Sequence, residues 1–142
     1  MEGNVSIRVA VVGFGNVGKG ALDAIETAAD LELAGIVVRE HAVERSRSQL
    51  PSCMPVVTEI GELGVVDVAV LAVPSRSIAA VARPLLEQGI STVDSFDIHG
   101  NALWQLRQDL DSVATPAGAT AISAAGWDPG SDSLIRAIFV LQ

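Results

Sequence analysis

At 142 residues the chain is long enough for one domain with a real core. Hydrophobic residues make up 49% of it and charged residues 18%, an apolar-rich globular balance. The net charge of −8 argues against nucleic acid, which calls for a basic footprint, and no apolar run reaches membrane-spanning length.

The opening residues MEGNVSIR lack the apolar core of a signal peptide. The single cysteine, Cys53, excludes an internal disulfide and fits a reducing compartment. Two histidines and one cysteine are too few for a convincing zinc site, so no metal is expected.

In chain order, the apolar run Ile7–Val12 predicts a first strand. It leads into Gly13-Phe14-Gly15-Asn16-Val17-Gly18, a G-x-G-x-x-G set between a strand and a helix. In that context the three glycines have separate jobs. Gly13 permits the tight turn, Gly15 leaves room for a pyrophosphate at the backbone, and Gly18 lets the helix pack against the sheet. The free N–H groups of the helix start would face the phosphates. The competing reading is a glycine-rich turn that merely packs tightly. The helix is predicted over Val17–Ala29, with Val17, Ala21, Leu22, Ala24, Ile25 and Ala28 as its buried stripe.

A second strand follows at Leu31–Val38, then a charged, irregular stretch Arg39–Pro55 with room for a short helix. The end of this strand is where dinucleotide folds choose their cofactor: an acidic residue takes a ribose hydroxyl, an arginine takes a 2′-phosphate. Arg39 comes first here and argues for NADP; Glu40 follows and argues for NAD. Residue order favours NADP, while an ordinary solvated ion pair is the bland alternative.

Val56–Thr58 reads as a short strand, Glu59–Gly64 as a turn and Val66–Val73 as a central strand stopped by Pro74. Ser75 or Ser77 is placed to cap a helix over Ile78–Gln88, and Gly89 to close it. Ser91–Val93 is a further strand, His99–Ala114 a helix and Gly118–Ser123 a sixth strand. Trp104 and Trp127 read as packing residues rather than cofactor platforms. Leu134, Ile135, Ile138, Phe139 and Leu141 mark an amphipathic helix without a closing cap, which predicts a chain cut short rather than a docked terminal helix.

The alternation of strand and helix predicts the fold class α/β: a Rossmann-type doubly wound, mainly parallel sheet in three layers, over residues 1–142. Asp97 and Asp128 fall just past the predicted fifth and sixth strands, where open parallel sheets bind ligands. Each also has the form of a helix cap, Asp128 through the following Pro129.

The segments VVGFGNVG, GIVVRE, VPSRS (Val73–Ser77), VDSFDIHGN (Val93–Asn101) and SAAGWDPGSDS (Ser123–Ser133) together resemble meso-diaminopimelate dehydrogenase, from Ile7 to Ile138. The resemblance implies a reversible NADP-dependent oxidative deamination at the D-centre of meso-2,6-diaminopimelate, in lysine biosynthesis in the cytoplasm. It implies a homodimer whose substrate and dimerisation domain is absent from this chain, and a small amino acid as partner rather than nucleic acid or membrane. Residue by residue, it carries cofactor contacts to Gly13, Gly15, Asn16, Val17, Gly18, Arg39 and Ser75. Substrate-facing acidic positions fall on Asp97 and Asp128, with Trp127 beside the latter. A third acidic position falls on Asn101, whose amide cannot balance an ammonium or take a proton. The rival readings are the cofactor domain of another two-domain oxidoreductase and a stand-alone dinucleotide-binding or redox-sensing module.

Overall fold

The structure, a computed structural model, describes residues 6–126 and 131–140. The chain divides into two units, Met1–Ala72 and Val73–Gln142. In the first, β1 (Ile7–Val12) leads into α1 (Asn16–Thr27), β2 (Leu31–Val37), the short α2 (Val43–Arg47), β3 (Val56–Val57) and β4 (Val68–Leu71). The strand order is β3-β2-β1-β4 and every ladder is parallel. Parallel strands need crossovers, and α1 supplies the one between β1 and β2. Val9, Val11, Leu22, Ile25, Ile36, Val38, Val43 and Val56 form the core of this unit.

The buried stripe of α1 is Gly18, Leu22 and Ile25, a spacing of four and three. This corrects the predicted stripe: Val17 is 57% exposed and Ala24 is also outside. Gly18 takes the inward position, so its neighbour at about 100° around the helix turns to solvent.

The β1–β2 register contains an irregularity that the sequence pattern did not announce. Val9 pairs with Leu33 but Ala10 pairs with Gly35, leaving Ala34 as the extra residue of a bulge. Gly35 has φ +153, and a Cβ there would meet Leu63 Cδ2 at 2.6 Å and the Pro55 carbonyl oxygen at 2.9 Å. Only glycine fits that approach.

The second unit holds α3 (Ile78–Glu87), β5 (Ser91–Asp94), α4 (Asn101–Ala117), β6 (Ala121–Ile122) and α5 (Ser131–Val140). β5 and β6 pair in parallel, Thr92 with Ala121 and Val93 with Ile122. α3 packs on α4; its buried residues are Ile78, Ala82, Leu85 and Leu86, and those of α4 are Leu106, Leu110 and Ala114. Arg83 Nη1 lies 2.8 Å from Asp109 Oδ1 across that pair. Gly89 closes α3 as expected: its N–H donates to Leu86 O, and that of Ile90 to Leu85 O.

Several boundaries move, and the strand predicted over Val66–Val73 contracts to Val68–Leu71. α4 starts two residues late because Gly100, at φ 69, holds the chain out of the helix, and it runs on to Ala117. Gly118 is spent as a left-handed cap at φ 67, so β6 shrinks to two residues. Ser77 occupies the start of α3 without a side-chain cap bond. Among the described residues, α5 leaves Leu134, Ile138 and Phe139 exposed at 67%, 51% and 70%, so its apolar stripe is not docked. Trp104, expected to pack, is 61% exposed.

Candidate functional site

The glycine loop closes the carboxyl end of β1. Gly13 has φ 96, and its N–H donates to Val37 O at 2.8 Å, which ties the turn to the end of β2. A Cβ on Gly18 would lie 3.0 Å from the Gly13 carbonyl carbon, nearer still to its oxygen, and 3.4 Å from Val11 Cγ1. Gly18 therefore seals the start of α1 against the turn. Gly15 differs: it is exposed, and a Cβ there would meet nothing within 4 Å.

Gly15 is also the N-cap of α1 and makes no side-chain cap bond, and the first turn carries no acidic residue. The opening N–H groups of a twelve-residue helix have no partner within the helix and lie beside a residue without a side chain. This is the physical form of an anion site, in which orphan donors and the positive end of the helix dipole act together. Asn16 and Val17 are exposed on the first turn, and the Lys19 ammonium sits 5.7 Å from the centre of the Phe14 ring. These residues fit a dinucleotide phosphate on steric and electrostatic grounds.

Arg39 is exposed one residue beyond the buried Val38 and starts the turn Glu40–Ala42, where the Ala42 N–H donates to Arg39 O. Glu40 lines a groove of about 290 Å³ with Glu44, Arg47, Thr58 and Glu62. Arg47 is engaged there: its Nη2 donates to Val56 O at 3.1 Å and it pairs with Glu44.

In the second unit the structure brings Ser75 and Asp97 together across 22 positions of sequence. The Ser75 hydroxyl donates to Asp97 Oδ1 at 2.5 Å, and the Asp97 N–H donates back to Ser75 Oγ at 3.3 Å. Both line a hollow of about 510 Å³ with Arg76 and Ser95. Neither caps a helix. Ser75 is engaged by Asp97, and the N-cap of α4 is Gly100, which corrects the capping alternatives for both residues. Asn101 is exposed as the first residue of α4. Trp127 and Asp128 lie outside the described residues. A hollow of about 750 Å³ along α4 and β6 contains none of these site residues.

Asp94 is the last residue of β5, one position past the predicted strand. It is 2% exposed, and three donors converge on its carboxyl group. The Phe96 and Ala124 N–H groups reach Oδ1 at 2.9 and 3.2 Å, and the Ser123 hydroxyl reaches Oδ2 at 2.9 Å. The signal was available in part: an Asp at a strand end can accept the backbone N–H two residues on, as in an Asx turn. The partners just past β6, Ser123 and Ala124, were not readable.

No family model matches the chain. A meso-diaminopimelate D-dehydrogenase of Bacteroides fragilis is 47% identical over 130 residues, 92% of this chain and 42% of that protein. The protein of the same description from Corynebacterium glutamicum is 34% identical over 92% of this chain and 39% of its own length. Among solved structures, an engineered D-amino acid dehydrogenase bound to NADP+ matches with TM-score 0.76 and 33% identity, over 94% of this chain and 40% of its own. The C. glutamicum DAP dehydrogenase in complex with DAP matches with TM-score 0.76 and 32% identity over the same shares. A homoserine dehydrogenase of S. aureus, at TM-score 0.64 and 18% identity, shares the fold alone. The chain spans about two fifths of the length of the curated relatives it matches. Over 92% of its length the chain is similar to meso-diaminopimelate D-dehydrogenases.

Proposed function

We propose that this chain is the NADP-binding part of a meso-diaminopimelate dehydrogenase. The observation that carries this is the glycine loop: sealed at Gly18, open at Gly15, and followed by an uncapped helix start. On this proposal the N–H groups of Gly15, Asn16 and Val17 hold the pyrophosphate, and Arg39 pairs with the 2′-phosphate through its planar guanidinium. Ser75 adds a cofactor-side contact from the turn after β4. When bound, the cofactor accepts a hydride from the substrate α-carbon. Asp97 holds the substrate ammonium and takes its proton through the oxygen that Ser75 leaves free. The resemblance adds Asp128 and Trp127 to the substrate contacts, and Asn101 contributes a hydrogen bond but no charge. The whole protein would be a cytoplasmic homodimer that oxidatively deaminates a small amino acid.

Titration calorimetry of the 142-residue chain with NADP+ and NAD+ tests the cofactor assignment. NADP+ should bind more tightly, and Arg39→Ala should lose about ten- to hundredfold of that affinity, the value of one charge-assisted contact. Equal affinities, or no loss in the variant, would shift the selection to Glu40 and remove the NADP assignment.

A further inference from the structure

We propose that Asp94 is a positioning residue that fixes the turns leaving β5 and β6, and through the first of them the side chain of Asp97. The inference rests on Asp97 being the substrate-facing carboxylate of the function proposed above.

Asp94 is the last residue of β5, and its carboxyl group is enclosed by Phe96, Ser123 and Ala124, which are 7%, 9% and 6% exposed. Within the turn, Oδ1 accepts the Phe96 N–H and so fixes the backbone one residue before Asp97. Across the ladder, the same oxygen accepts the Ala124 N–H while Oδ2 accepts the Ser123 hydroxyl. The Asp94 carbonyl then takes the Ala125 N–H at 2.8 Å. Ala124 has φ 64, a left-handed backbone that alanine rarely adopts and that persists only where its surroundings hold it. The Asp94 bonds on either side of it are such a hold. One buried acceptor therefore sets both segments, and only an acceptor of this length at this register reaches all three donors.

The argument predicts a graded set of variants. Asparagine keeps one oxygen for the two N–H donors and offers an amide to Ser123 Oγ, which can accept. Alanine removes both acceptors and leaves buried donors unpaired.

The test is amide hydrogen exchange and the χ1 three-bond couplings of Asp97, measured by NMR on the 142-residue chain, with circular dichroism as the check of folding. Asp94→Ala should speed exchange at Phe96 and Ala124 by at least about tenfold, the loss of one hydrogen bond to a charged acceptor. It should also turn Asp97 from one χ1 rotamer to an average. Asp94→Asn should keep both close to the unmodified chain. A purely structural role for Asp94 would leave the Asp97 rotamer unmoved. A folded Asp94→Ala chain with unchanged Asp97 couplings would overturn the proposal, as would an Asp94→Asn chain indistinguishable from it. Should Asp94→Ala not fold, Ser123→Ala decides: faster exchange at Ala124 supports the clamp, and unchanged exchange there overturns it. None of these readouts needs a cofactor or substrate. A failure of the unmodified chain to bind NADP+ would remove the proposed function and leave the clamp standing.

Discussion

Gly18 and Gly20 lie two residues apart in α1, and the structure predicts opposite signs for their replacement by alanine. At Gly18 the new Cβ meets the Gly13 carbonyl, 3.0 Å from its carbon and closer to its oxygen. That carbonyl cannot swing away freely, because Gly13 is bonded through its N–H to Val37 O. The obstacle is backbone, so the cost belongs at the upper end of the overpacking range, about 3 kcal/mol. Alanine gives back about 1 kcal/mol in helix propensity, for a net loss of roughly 2 kcal/mol. At Gly20 a Cβ meets nothing within 4 Å, so only the gain remains. At roughly 2–4 °C per kcal/mol, Gly18→Ala should lower Tm by about 4–8 °C and Gly20→Ala should raise it by about 2–4 °C. Thermal melts followed by far-ultraviolet circular dichroism check both. Shifts of the same sign and size would refute the close approach of α1 to the turn.

Gly15→Val should leave the melt nearly unchanged, since its site is open, yet abolish NADP+ binding in calorimetry; retained binding would mean that the phosphates lie elsewhere. Gly35→Ala should destabilise the chain by about 3 kcal/mol in urea titration, because it forces both a positive φ and a clash with the Pro55 carbonyl; a neutral result would contradict the bulge. The 142-residue chain alone should form no appreciable NADPH from meso-diaminopimelate, because hydride transfer needs a substrate held on all sides; robust turnover would refute a site shared with further sequence.

Local chemistry was legible wherever the deciding contacts lie close in the chain. β1 matches its predicted range, Ile7–Val12, because an apolar run that ends in glycine has few other ways to fold. The role of Gly18 as a packing glycine was readable for the same reason: its obstacle, Gly13, is five residues away. Gly89 was readable as the close of α3 because a left-handed cap is a local device. The outward turn of Val17 was not, since the phase of a helix against its sheet is set by packing rather than by hydrophobicity alone.

Amino-acid order by itself therefore determined the alternation of strands and helices, the glycine turn and the position of Arg39 after β2. Tertiary structure decided what joins residues far apart in sequence. It made Gly35 obligatory by bringing Pro55 and Leu63 against it, and it turned Ser75 from a cap into a partner of Asp97. It also made Asp94 a buried acceptor for a segment some 30 positions away. All three contacts join segments far apart in the chain. A hydrogen bond or steric contact depends on register across a ladder, and a one-residue bulge such as that at Ala34 shifts the register without altering the hydrophobic pattern that sequence displays.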